Sequence, residues 1–208
     1  MQLMARIPGL KKAHEPVTYN KKMIEELKKC AQDPIHFIRN YVYIKTVKYG
    51  RTKFNLYDYQ EEYINLMTNN DRVITLQSRQ VGKSATTAAF LLWWAIFKSD
   101  QVILIASNNS NNAKEIIDKV KYAYEELPYW LKPGIDETAY NKHEVRFDNK
   151  SRIVATTTSE NSGRGMSISF LYCDELSFVA KHVAESFWNS IIPTVSTGGR
   201  IVISTTLS

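Results

Sequence analysis

Three small groups of residues in this chain could do chemistry together. Gly82-Lys83-Ser84 closes a polar turn that begins Ser78-Arg79-Gln80-Val81. Backbone N–H groups of such a turn, with the positive end of a following helix, make an anion site. Gly82 lets the backbone close on a phosphate, Lys83 can reach β- and γ-phosphates, and the Ser84 hydroxyl suits Mg2+. Residues 78–84 are therefore the candidate nucleotide-binding segment. The pattern G-x-x-x-x-G-K-[ST] wants glycine where Gln77 stands, so its first position is unmet. The competing reading is a lysine-bearing turn with no ligand.

Asp174-Glu175 is the second group. Asp174 follows an apolar run, residues 170–173, and should emerge at a strand tip. There a carboxylate can hold Mg2+ through water beside Ser84. Glu175 would point elsewhere, toward a water that needs orientation and a proton acceptor. Structural ion pairing is the alternative for an isolated Asp-Glu pair; paired with Gly82-Lys83-Ser84 it indicates an NTPase. The third group supplies positive charge at the transition state. Arg164, flanked by Gly163 and Gly165, is free to reach toward a neighbouring subunit's phosphate, and Arg79 competes for that role within its own loop. A local pairing of Arg164 with Glu160 is the plain alternative. Gln60 offers an amide that matches the adenine N6/N7 edge; otherwise it is an exposed helix glutamine.

Elements that could position these groups follow from periodicity. Residues 72–77 read as a buried strand rich in β-branched side chains, the turn follows, and residues 88–97 read as a buried helix behind it. Further strands are expected at 101–107, 144–147, 152–157, 169–175 and 200–205, the last ending at Ser204, Thr205 and Thr206. Helices are expected at 20–31, from Pro34 after Asp33, beyond Gln60, from Asn112 with Glu115 as its capping partner, and at 183–192. In the first helix Met23, Ile24, Leu27, Cys30 and Ala31 share a face. Lys21 and Lys22 stand at helical spacing from Glu25 and Glu26, a solvated face more than a DNA-binding stripe. Residues 43–47 look like a short strand, 49–54 a turn, and 1–19 a loose arm. Strands alternating with helices indicate an α/β fold with a mostly parallel sheet flanked by helices, and its ligands bind at the strands' carboxyl ends.

Composition narrows the class. The 208 residues are 44% hydrophobic and include 24 aromatic side chains (12 Tyr, 8 Phe, 4 Trp), enough for one globular core and against disorder. A net charge of +6 favours an acidic partner such as nucleic acid. The two cysteines, Cys30 and Cys173, fit a reducing compartment, and the four histidines form no metal-ligand spacing with them. No signal peptide is visible, and the longest apolar run is about half of the roughly 20 residues a membrane span needs.

Together, LYDYQ around Gln60, SRQVGKS, SGRGMSISFLYCDE and RIVISTT resemble the ATPase domain of the large terminase of tailed bacteriophages, closest to the T-even type. That family shares the missing first glycine. The resemblance covers roughly residues 35–208 and implies a P-loop NTPase of the additional-strand, catalytic-glutamate (RecA/helicase-like) type. It implies ATP and Mg2+ as cofactors, Gln60 at adenine, Arg79 as the loop arginine, and Lys83 and Ser84 at phosphate and metal. It further implies Asp174 on the metal, Glu175 on the water, and Ser204, Thr205 and Thr206 as a motif coupling hydrolysis to movement. Residues 1–34 would be an arm and helix belonging to a lid subdomain. By the same resemblance the partners are double-stranded DNA, a homo-oligomeric ring on the procapsid portal, the portal protein and the small terminase subunit, with no membrane. The setting would be the cytoplasm of an infected bacterium. The family's RNase H-like nuclease domain lies outside these residues, so no nuclease activity is expected of them. A helicase-like translocase with the same core, and a non-catalytic nucleotide-binding module, are the competing functions.

Overall fold

Six strands share one sheet in the computed structural model, which describes residues 9–195 and 198–206. They are β3 (Arg72–Gln77), β4 (Val102–Ser107), β5 (Glu144–Arg146), β6 (Arg152–Thr157), β7 (Phe170–Asp174) and β8 (Arg200–Thr206). Their order is β3-β8-β7-β4-β6-β5, with every pairing parallel except β5 with β6. β8 thus sits between β3 and β7, the additional-strand arrangement. Val, Ile, Leu and Phe fill the central strands because a parallel sheet is covered on both faces. Ile103, Ile105, Phe170, Tyr172 and Val202 face one core, shared with α4 (Lys83–Phe97) and α5 (Ser110–Glu125). Leu104, Ala106, Leu171, Cys173 and Ile201 face the other, under α6 (Lys181–Val195). α4 is apolar nearly all round and buried along most of its length, as such a helix must be. Among the described residues no helix is long and apolar enough to cross a membrane.

The helices α1 (Lys21–Gln32), α2 (Pro34–Tyr41) and α3 (Asp58–Asn69) pack onto the α4 side. Asp33 caps α2 by accepting from the Ile35 and His36 N–H groups, with Pro34 in the first turn, as the sequence indicates. α6 is longer than expected at both ends and carries Pro193 in its last turn.

Several local expectations are corrected. β3 is an edge strand, not a buried one: Ile74 is 75% and Leu76 64% exposed, because the core under α6 takes residues from β4, β7 and β8 and none from β3. Residues 49–54 are not a plain turn. β1 (Tyr43–Thr46) pairs antiparallel with β2 (Gly50–Lys53) in a hairpin of its own. α5 begins one turn before the expected cap: Asn109 accepts from the Asn112 N–H at 2.9 Å, since the polar Ser110-Asn111 turn precedes the first apolar position. Residues 1–8 lie outside the described residues, but from Gly9 the arm is held. Leu10 is buried, and Lys11 Nζ donates to the Lys132 carbonyl at 2.9 Å. In α1, Ile24 and Ala31 are exposed, leaving Cys30 as the buried anchor. The expected Lys21–Glu25 and Lys22–Glu26 pairs are not among the ion pairs of the described residues. Glu26 instead accepts from His36 Nε2 at 2.6 Å and from the Tyr41 hydroxyl at 3.0 Å, fastening α1 to α2. Those bonds also account for the one cluster of candidate metal ligands among the described residues, Glu26, Cys30 and His36, which sequence spacing did not reveal.

Candidate active site

Parallel register brings the reactive groups level at one edge of the sheet. Gln77 pairs with Thr206, Ser107 with Asp174, and Asp174 with Ser204, so the ends of β3, β8, β7 and β4 open on the same side. Beyond β3 the chain turns through Gln80 (φ 64°) and Gly82 (φ 78°) into α4. A left-handed non-glycine residue costs on the order of 1–3 kcal/mol, so Gln80 is a strained position that the surrounding loop fixes. At Gly82 a Cβ would stand 2.6 Å from Gln60 Nε2, which leaves glycine as the residue that fits. Alternating backbone conformations of this kind aim N–H groups at an anion.

The loop borders a cavity of about 500 Å3. Ser78, Arg79, Gln80, Gly82, Lys83 and Ser84 line it from the loop, and Asn108, Lys119, Glu175 and Thr206 from the other strands and helices. Lys83 is buried, with Nζ 2.6 Å from Glu175 Oε1 and 3.3 Å from Asp174 Oδ1. Glu175 itself is left-handed (φ 54°), which swings its side chain away from the strand direction of Asp174 and toward β8. There Oε2 accepts from the Thr206 N–H at 2.9 Å, from Thr205 Oγ1 at 3.1 Å and from Thr206 Oγ1 at 3.2 Å. Ser177 Oγ shares a short hydrogen bond with Thr205 Oγ1.

The two carboxylates are pushed in opposite directions. Burial raises the Asp174 pKa, against the pull of Lys83 and of the Tyr172 hydroxyl, which donates to Oδ1 at 3.0 Å. Burial raises Glu175 too, but the hydrogen bonds from Lys83 and from the Thr206 N–H outweigh it and hold its pKa below the usual range. Environments that separate two neighbouring acids assign them separate jobs. Asp174 does not line the cavity; Lys83 Nζ stands against it. The Ser84 hydroxyl and the Asp174 carboxylate are hard oxygen donors, a set that fits Mg2+.

Next to the cavity runs a layer of buried and part-buried polar contacts. Tyr63 shares a hydrogen bond with Thr87 Oγ1 at 3.3 Å, Thr75 Oγ1 donates to Ser204 Oγ at 3.1 Å, and Gln77 Nε2 to Thr75 Oγ1 at 3.2 Å.

Residues 74–208 match the family described as "Terminase large subunit, T4likevirus-type, N-terminal". The chain belongs to this family. Among solved structures it is similar to the large terminase of bacteriophage HK97 at 15% identity, with a TM-score of 0.66 over 85% of this chain. It is similar also to the large terminase ATPase domain of Thermus phage P74-26, at 18% identity and a TM-score of 0.56 over 74% of this chain and 66% of that one. A DEAD box protein from Methanococcus jannaschii shares the fold at 11% identity, a TM-score of 0.53, and 94% and 50% coverage. The terminase chain spans 37% of the length of the HK97 protein. These likenesses are of fold: a mostly parallel sheet flanked by helices, consistent with the RecA-like P-loop architecture.

Most expected site residues of this terminase chain converge, and some do not. Gln60 is no exposed helix residue: it is 4% exposed, with Oε1 accepting from the Tyr57 N–H at 3.1 Å and Nε2 donating to the Val81 carbonyl at 2.9 Å. Val81 accordingly turns its carbonyl toward α3 and lines the neighbouring cavity, not the phosphate one. Ser204 lies one layer down, at Thr75, while Thr205 and Thr206 reach Glu175. Arg79 is exposed at the phosphate cavity. Arg164 lies away from it, exposed, with Nη1 3.1 Å from Asn161 Oδ1, so the alternative pairing with Glu160 is not the one formed. Gly163 is not free as expected: a Cβ there would meet Ile191 Cδ1 at 2.3 Å, whereas Gly165 has open space. Tyr172, Asn108 and Lys119 escaped the sequence reading. Tyr172 alone carried a signal, a phenol two residues before Asp174 on the same face of a strand.

Proposed function

We propose that this chain is an ATP-hydrolysing motor domain of a large terminase, using Mg-ATP to drive double-stranded DNA into a procapsid. The observation that carries the reading is the three-way junction of Lys83, Glu175 and Thr205-Thr206 on the wall of the phosphate cavity. An arriving γ-phosphate offers Lys83 a stronger partner than Glu175. As Lys83 moves to phosphate, Glu175 Oε1 is released and can accept a proton from the attacking water, while Oε2 stays on Thr205 and Thr206. Water oxygen then bonds the γ-phosphorus as the bond to the ADP oxygen breaks. Ser84 and Asp174 would hold Mg2+, which when bound neutralises charge on the β- and γ-phosphate oxygens. Because Thr205 and Thr206 end β8, any swing of Glu175 pulls directly on the strand beside β3. Ser204, Thr205 and Thr206 thereby serve as the coupling motif. Arg79 positions phosphate within its own subunit, and Arg164 completes the site of a neighbour in a ring. Gln60 holds the loop and meets the adenine edge with its remaining hydrogen-bonding capacity.

Portal protein and small terminase subunit are the further partners, in the cytoplasm of an infected bacterium, with residues 1–34 contributing to a lid. The family match over residues 74–208 favours packaging over unwinding for this shared core. Steady-state phosphate release from ATP, with and without Mg2+ and duplex DNA, tests the reading. Turnover that needs Mg2+ and rises with duplex is expected. ATP binding without turnover, in rings shown to be assembled, would overturn it in favour of a binding module.

A further inference from the structure

We infer that the β1–β2 hairpin is a contact surface for the phosphate backbone of duplex DNA, an inference that rests on the DNA-translocating function proposed above. Residues 42–57 hold Lys45, Lys48, Arg51 and Lys53 and no acidic residue. The register places Lys45 opposite Arg51 and Tyr43 opposite Lys53, so three cations share one face of the hairpin. Burial alternates with the register: Lys45, Arg51 and Lys53 are exposed, while Ile44, Thr46 and Thr52 are half-buried along the cavity beside the phosphate loop. Lys53 borders that cavity too, and Lys45 borders a second one with Glu115 and Asp118 of α5. Like charges directly opposite each other destabilise a two-stranded ribbon, a cost that the contacts of Arg51 offset in part and that Lys45 adds to without an ion pair of its own among the described residues. Arg51 is partly compensated by Glu126 and by the Tyr43 ring 3.7 Å away. Lys45, Lys48 and Lys53 form no ion pair among the described residues.

At the tip, Val47 is fully exposed and Tyr49 is 68% exposed, with Lys48 Nζ 4.9 Å from its ring. An amphipathic ring between cations suits a sugar–phosphate surface, where contacts fix position without reading sequence. The lysines of α1 differ in setting, being interleaved with Glu25 and Glu26. The hairpin's inner face shares a cavity of about 360 Å3 with Gln80 and Gly82, so a duplex on the outer face lies one ribbon away from the nucleotide loop.

The test compares two variants of equal charge change by anisotropy of a labelled duplex over a salt series. One carries Lys45→Gln, Lys48→Gln and Lys53→Gln; the other carries Lys21→Gln, Lys22→Gln and Lys28→Gln on α1. Far-UV circular dichroism and melting temperature confirm that both fold. Each phosphate contact adds about −0.9 to the log–log salt slope. The hairpin variant should bind about tenfold or more weakly at low salt, with a slope shallower by about 2.7, and the α1 variant should retain both. Equal losses in the two variants, or none in the hairpin variant, overturn the inference and leave the proposed function standing. A loss matched on poly-glutamate of equal charge also overturns it, in favour of an acidic protein partner. No duplex binding by the unaltered chain, with ATP binding intact, overturns the inference and the DNA part of the proposed function together.

Discussion

The centre of the site and its arginines are built on opposite principles. Lys83, Asp174 and Glu175 are buried or nearly so; Asp174 is tied to Tyr172 along its own strand, and Glu175 to Thr205 and Thr206 because β8 lies beside β7. Arg79 and Arg164 are exposed, and Arg164 has one neutral partner three residues away. The groups proposed to meet phosphate and water are thus tied together inside one chain. Arg164, proposed to compensate charge in a neighbour's site, stands outside that network, while Arg79 borders the cavity of its own chain. On the proposed reading, one chain is ready to bind nucleotide and still incomplete for rapid turnover.

The sharpest way to break this contrast is at Arg164. Arg164→Ala should lower turnover of assembled rings by on the order of 10³–10⁵ while leaving ATP binding and melting temperature unchanged. Mixed rings of Arg164→Ala with Glu175→Gln should recover part of the activity; no recovery, in rings shown to be mixed, places the arginine's action in its own subunit. Next comes Lys83→Ala, which should abolish turnover, weaken ATP binding and also destabilise the empty chain. It leaves two carboxylates without their cation, a loss that thermal unfolding would register.

The pH dependence separates the acids further. Glu175 has a lowered folded pKa, so its stabilising contribution is full above the ordinary glutamate range near 4.3 and is lost as pH falls through the folded value. Asp174, with a raised pKa, works in the other direction: its cost to the fold appears as pH rises through the folded value. Comparing the stability of the chain with that of Glu175→Gln from neutral to acid pH should show the variant lacking an acid-labile component. Equal curves would remove Glu175 from the network.

Smaller effects sharpen the inner layer. Tyr172→Phe removes one hydrogen bond from Asp174, worth about 0.5–1.5 kcal/mol, and should raise the Mg2+ needed for half-maximal turnover severalfold with little change in the KM for ATP. A change in KM alone would make Tyr172 a packing residue. Gln60→Ala should raise the KM for ATP; a larger effect on ATP than on GTP marks adenine contact, and equal effects mark its bond to the Val81 carbonyl as its whole role.

What the sequence disclosed follows the range of the interactions. Strand, loop and α4 are contiguous, so β-branched residues, a polar turn and an apolar helix spelled them out. Asp174 was legible because an apolar run ended on it. The grip of Thr205 and Thr206 on Glu175 was not, since it depends on β8 lying beside β7 and on a left-handed Glu175. β1 was legible at residues 43–47, but the four residues of β2 read as a turn and carry too little periodicity to reveal the hairpin. Nor could helical spacing show that Glu26 prefers His36, across a helix junction, to Lys22 on its own helix. β3 is open on one side despite its apolar residues, because an apolar sequence does not say whether both faces of a strand are covered.

The central claim is that Lys83 exchanges Glu175 for phosphate, and that Glu175 serves the water and not the binding of nucleotide. It is tested most directly by measuring Mg-ATP affinity and turnover together for Glu175→Gln. Affinity equal to or tighter than that of the unaltered chain is expected, because the competing ion pair is weakened, with turnover reduced about 10²–10⁴-fold. Weakened binding accompanied by ordinary turnover would contradict it.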